Sequence, residues 1–130
     1  MKKELEEILI KAYPNLYVDH DAPKTISLMS YGFPDDGWFL LIENLSKKLE
    51  ALILAQPENE RRKYRAVQAK SKFATLRFYM SAQTDEMREA INEAEAQSAK
   101  TCEKCGRPGE IVSSVSGWLR CQCDVCRLLK

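Results

Sequence analysis

Apolar residues along the chain fall into three stripes of helical period and one stretch of alternation. Over residues 3–12, Leu5, Ile8, Leu9 and Ala12 recur at i, i+3, i+4 and i+7, which predicts an amphipathic helix stopped by Pro14. The strongest stripe is Trp38, Leu41, Ile42, Leu45, Leu49, Leu52 and Ile53, with Glu43, Lys47, Lys48 and Glu50 outside it. It predicts a helix over 37–55, entered through Phe33-Pro34-Asp35-Asp36-Gly37, where an Asp is expected to cap, and ended by Gln56-Pro57. A narrower stripe, Met87, Ala90, Ile91 and Ala94, predicts a third helix over 85–99 with Thr84 as its cap and Asp85 and Glu86 at the positive end of its dipole.

Between the second and third stripes the period changes to two. Strands are expected over 64–70 and 73–80, joined near Ser71-Lys72. Ala74, Leu76, Phe78 and Met80 then share one face, and Phe73, Thr75, Arg77 and Tyr79 the other. Residues 15–31 fit neither period. Leu16, Val18, Ile26 and Leu28 read as short extended pieces around an Asp21-Ala22-Pro23 turn. The fold class is therefore α+β, with helices packed on a small antiparallel hairpin. Trp38, Leu41, Leu45 and Leu49 should meet Leu76 and Phe78 in one core.

The length of 130 residues suits one domain with a small appendage. A hydrophobic content of 45% with a net charge of +1 excludes a disordered chain. The longest apolar runs, 38–42 and 51–55, are far below the ~18 residues of a membrane span, so no membrane association is expected. Met1-Lys2-Lys3 leads into Glu4, Glu6 and Glu7 rather than an apolar segment, and the expected location is the cytoplasm. The near-neutral total conceals segregation. Residues 1–60 hold 6 basic and 11 acidic side chains, 61–84 hold 7 basic and none acidic, 85–99 hold 1 and 5, and 100–130 hold 6 and 3. Separate surfaces of opposite sign are expected, not a uniformly basic glove.

All five cysteines lie in the last 29 residues. Cys102-x2-Cys105-x17-Cys123-x2-Cys126 has the spacing of a four-cysteine zinc ribbon. Each C-x-x-C turn offers two corners of a tetrahedron, and Gly106 supplies the positive φ of the knuckle. Residues 110–115 and 118–122 can pair around 116–117 and carry the second cysteine pair back to the first. The chain thus divides into a body over 1–99 and a zinc-ribbon-like module over 100–130, packed on the third helix because almost no linker intervenes. Cys121 is surplus; it does not repeat the first pair's spacing, but it can exchange with Cys123 as a ligand. Four thiolates leave no open coordination position, and neither the His-Glu-x-x-His nor the deaminase pattern is present, so one structural Zn²⁺ and no enzymatic activity are expected. The single histidine, His20 between Asp19 and Asp21, accompanies no nucleophile motif and reads as an exposed loop residue.

The basic run over 61–77 is the one candidate binding surface outside the cysteines. Arg65, Lys70, Lys72 and Arg77 are its charged members and Tyr79 its aromatic anchor. Aromatic and Arg side chains on one strand face can stack bases. The strand departs from the RNA-recognition signature, with Lys72 where Gly is wanted and Thr75 where an aromatic is wanted. Glu89 and Glu93 are expected to neutralise part of the patch, leaving free duplex DNA weakly bound.

Taken in order, Asp36-Gly37-Trp38, the strand Lys72-Phe73-Ala74-Thr75-Leu76-Arg77-Phe78-Tyr79, Ile91 with Ala94-Glu95 and Ser98, Cys102-Glu103-Lys104-Cys105-Gly106-Arg107-Pro108-Gly109, Gly117-Trp118 and Cys123-Asp124-x-Cys126 resemble a family of small bacteriophage and prophage proteins without an assigned activity. The resemblance covers roughly residues 33–126. It departs at Ala74, where the family has Gly, and at Cys121, outside the usual pattern. It implies a phage accessory protein with a zinc-binding tail, and no reaction. Such a protein is expected to bind and inhibit or modulate a host protein or nucleoprotein complex, for instance a CRISPR-type defence effector. The alternative is a nucleic-acid-binding or transcription-regulating zinc-ribbon protein.

Overall fold

The computed structural model describes residues 1–113 and 117–128. It is an α+β fold. Helix α1 spans Lys3–Ala12 and α2 Phe39–Leu54; strands β1 (Ala66–Lys72) and β2 (Thr75–Met80) form an antiparallel pair, followed by α3 (Asp85–Ser98). A second antiparallel pair, β3 (Glu110–Ser113) and β4 (Leu119–Gln122), and the short α4 (Asp124–Leu128) complete the described chain. The predicted strand end at 114–115 and the first residue of the predicted 116–117 turn lie outside the described residues.

The stripes of α2, α3 and the hairpin assemble as expected, whereas in α1 only Leu9 of the predicted stripe is buried, with Ile8 48% exposed and Ala12 exposed. Trp38, Ile42, Leu49, Ile53, Leu76 and Met87 are fully buried in one cluster with Leu41, Leu45, Phe78, Ile91 and Ala94. Thr84 caps α3, its hydroxyl accepting from the Met87 N–H.

Four details differ from the sequence expectation. The hairpin turns at Phe73-Ala74, two residues beyond Ser71-Lys72 at its start, because the register pairs Lys72 with Thr75. Neither aspartate caps α2. The Asp36 carboxylate accepts from the Lys2 N–H at 2.7 Å, and a 3₁₀ turn over Asp36–Trp38 leads into the helix. Residues 15–31 form turns rather than strands, yet they serve the sheet: the Ala66 N–H donates to the Leu16 carbonyl (2.8 Å) and the Leu28 N–H to the Val67 carbonyl (2.7 Å), covering the free edge of β1. Glu50, expected on the outer face, is buried. Its carboxylate accepts from the Leu16 N–H (2.9 Å) and the Asn15 side-chain amide (2.7 Å), and it pins this turn segment to α2.

The outer edge of β2 is covered as well. The Leu76 N–H donates to Ser98 Oγ (2.8 Å) and the Phe78 N–H to a Glu95 carboxylate oxygen (3.0 Å), both on α3. A two-stranded ribbon is marginal alone. Here both edges are satisfied by neighbouring elements, so it acts as a core layer.

Tyr17 stands where these layers meet. Its ring packs edge-on against Phe33 and Phe78, at 5.2 and 6.4 Å between centroids. Ser46 Oγ donates to the Ile42 carbonyl (2.7 Å), so in the 2.5 Å Tyr17–Ser46 bond the phenol is the donor. Burial raises the Tyr17 pKa above its ordinary 10.0. A folded value above the unfolded one means that this stabilising contribution is complete below pH 10.0 and is lost as the pH rises above it. Tyr17→Phe should cost about 1 kcal/mol near neutrality and should flatten the alkaline fall in stability. Urea unfolding of both proteins at neutral and alkaline pH measures this; parallel alkaline losses would place the responsible group elsewhere.

Candidate metal centre and basic hairpin

The sulfurs of Cys102, Cys105, Cys123 and Cys126 all lie within 4.8 Å of one another, the one such cluster of cysteine, histidine and carboxylate ligands among the described residues. Tetrahedral Zn–S bonds of about 2.3 Å imply S···S separations of about 3.8 Å. The Cys105–Cys123 separation is 3.6 Å. The donor set therefore fits a tetrahedral thiolate-binding metal.

The first knuckle is shaped by backbone bonds. The Gly106 N–H donates to the Cys102 carbonyl (2.9 Å) and the Cys102 N–H to the Arg107 carbonyl (2.7 Å), with Gly106 at φ 83°. The second opens α4: the Cys126 N–H donates to Cys123 Sγ at 3.4 Å and lowers the Cys123 thiol to about pKa 7. Burial and the neighbouring sulfurs push Cys126 up to about 12. Crowded sulfurs cannot all ionise on their own, and a bound cation removes that conflict.

Cys121 is outside the cluster. Its thiol is fully buried, packs with the body core and donates to the Ala99 carbonyl at 3.3 Å. It is a packing residue joining the cysteine segment to the end of α3.

The segment is also fastened to the start of α2. The Gly37 N–H donates to the Glu103 carbonyl and Trp38 Nε1 donates to the Thr101 carbonyl, each at 2.9 Å. A Cβ on Gly37 would lie 2.3 Å from the Cys102 carbonyl oxygen. Lys104 reaches Asp35 at 3.5 Å. Sequence reasoning missed this role of Asp36-Gly37-Trp38. The available signal was a glycine set between an aspartate and a buried tryptophan where a helix would favour almost any other residue.

The five predicted binding residues divide. Arg65 is removed from the surface set. Its Nε is paired with Asp19 at 2.6 Å and its guanidinium donates to the Arg62 carbonyl, so it ties the turn segment to the hairpin base. Lys70 and Arg77 stand directly opposite each other across β1 and β2, with Lys72 two residues on and Tyr79 half-exposed opposite Gln68. Among the described residues none of Lys70, Lys72 and Arg77 has an ion pair, and Arg77 Nε is buried without a hydrogen-bond partner. Glu93, expected to offset this charge, instead pairs with Lys48 of α2 at 3.7 Å. His20 lies half-buried in a turn.

At the hairpin tip Phe73 (φ 52°) and Ala74 (φ 68°) are both left-handed. This is the two-residue turn that Asn-Gly forms with ease. A bulky non-glycine residue there costs on the order of 1 kcal/mol, yet the Phe73 ring is 68% exposed.

No family model, curated protein or solved structure matches the chain. No helix among the described residues is long and apolar enough to cross a membrane.

Cys126→Ser should abolish the sulfur-to-metal charge-transfer absorption of a cobalt(II)-loaded protein. Cys121→Ser should retain it while losing stability from the changed core contact. Loss of the absorption in Cys121→Ser would assign the ligands wrongly.

Proposed function

We propose that the four sulfurs hold one structural Zn²⁺, and that the protein is a non-enzymatic, phage-type accessory protein that acts in the host cytoplasm by binding and modulating a host protein or nucleoprotein complex, such as a CRISPR-type defence effector. The zinc reading rests on the all-sulfur donor set, which favours Zn²⁺ over the oxygen-seeking cations and leaves no position for substrate or water. Metal binding then contributes folding energy, about 10 kcal/mol or more in small zinc modules.

The observation that carries the binding reading is the solvent face of the β1–β2 hairpin. Like charges directly opposite one another across a strand pair are destabilising. Lys70 and Arg77 are so placed, and neither forms an ion pair among the described residues. An anionic partner surface relieves that repulsion. The patch is small, so free duplex DNA should bind only in the ~10⁻⁴–10⁻⁶ M range of non-specific contacts at physiological salt.

Elemental analysis should find one zinc per chain. A tagged protein should capture a defined host protein from nuclease-treated host lysate, and Lys70→Glu with Arg77→Glu should abolish capture while retaining zinc and the native circular dichroism. Undiminished capture by the double variant would reduce the hairpin face to scaffold. Tight, steeply salt-dependent duplex binding by the wild type would favour the transcription-regulator alternative.

A further inference from the structure

Two exposed aromatic side chains flank one cleft. Phe73 projects from the β1–β2 turn, and Trp118 lies immediately before β4; each is 68% exposed. Both line a cleft of about 440 Å³, together with Lys72, Leu119, Arg120 and the neighbouring loop residue Asp35. That volume falls in the range of small-ligand sites. The wall is largely apolar, and Lys72 and Arg120 are the cations that line it.

The two carboxylates of the cleft do not make it an anionic site. Asp35 is paired with Lys104. Glu103 is 6% exposed, and its carboxylate is directed to the Cys121 N–H at 3.5 Å. Lys72 lies over the Phe73 ring, with Nζ 5.7 Å from its centroid. From Lys72 the positive charge continues along the hairpin to Lys70 and, opposite it, Arg77. Alternate residues of a strand repeat at about 6.7 Å, comparable to the step between successive phosphates of an extended polynucleotide. Phe73 itself buries little and occupies a backbone conformation that resists it.

We propose that the cleft between Phe73 and Trp118 receives an unstacked base of single-stranded nucleic acid, with Lys72 and Arg120 at its phosphates and the Lys70–Arg77 face carrying the strand onward. Stacking on exposed rings beside cations is the mode by which proteins hold single strands without reading their sequence. The proposal rests on the preceding reading and adds to it the exposed single strand of a nucleoprotein as a second ligand of the same face, beside the host protein whose capture survives nuclease treatment, and it is tested without any host protein.

The probe is an oligothymidylate of about 12 nucleotides, within the ~4–16 that one small binding surface covers. It is titrated into the zinc-loaded full chain while tryptophan emission is followed. The chain has two tryptophans, and Trp38 is fully buried, so quenching reports Trp118. The expected result is saturable quenching that weakens as salt rises. Trp118→Phe should still bind the strand but lose the quenching. Phe73→Asn, which suits the left-handed turn, should preserve or raise the melting temperature yet weaken binding roughly tenfold. Absence of quenching and of any shift in fluorescence polarisation of a labelled strand overturns the proposal. So does strand binding unaffected by Phe73→Asn and by Trp118→Ala. If oligonucleotide fails to bind while those variants lose the captured host protein, the cleft is a protein-docking site; the base-binding proposal then falls and the host-binding reading stands.

Discussion

The packing of one backbone against another organises this molecule. At Gly37 the chain entering α2 runs so close to Cys102 and Glu103 that no side chain fits between them, and the contact is sealed by the Gly37 N–H to Glu103 and Trp38 indole to Thr101 hydrogen bonds. Trp38 is simultaneously a fully buried member of the main core. The cysteine segment is therefore continuous with the hydrophobic layer beneath it. Cys121 makes a second continuity, with its buried thiol in the same core and bonded to the end of α3. Whatever fixes the four sulfurs also fixes the start of α2, and the reverse holds equally.

The same logic, in which one element completes another, accounts for a sheet of only two strands. Its hydrophobic face meets α2 and α3, and its edges are covered by the 15–31 turns on one side and by Ser98 and Glu95 on the other. With its edges occupied and its inner face buried, the hairpin offers its solvent face and its tip to the outside. Those are the places where Lys70, Lys72, Arg77, Tyr79 and Phe73 stand. Rigid support lies beneath, and side-chain charge without ion pairs among the described residues lies above, which is the arrangement the proposed binding role uses.

Much of this was legible in the sequence. The helical stripes identified α1, α2, α3 and the core residues Leu45, Leu49 and Ile91, because apolar periodicity reports which face loses water. Cysteine spacing identified the four clustered sulfurs, since a C-x-x-C turn is local geometry. What remained hidden were polar residues whose partners are remote along the chain. Glu50 looks like an exposed helix position, but it binds Asn15 and Leu16. Arg65 looks like a member of the basic patch, but it belongs to Asp19. Asp36 looks like a cap, but it receives the Lys2 amide. The displaced hairpin turn has a similar cause. Register is set by burying Leu76 and Phe78, and this forces Phe73 and Ala74 into a conformation that their own propensities oppose.

The central claim is that the four-cysteine segment and the helical body form one cooperative unit joined at Gly37 and Trp38. Native-state hydrogen exchange of the zinc-loaded protein, before and after removal of the metal by a chelator, tests it most directly. The account predicts that chelation accelerates exchange at the Trp38 indole N–H and the Gly37 amide together with the amides of Cys102, Glu103 and Gly106. Acceleration confined to the cysteine segment, with the Trp38 indole still protected, would contradict it.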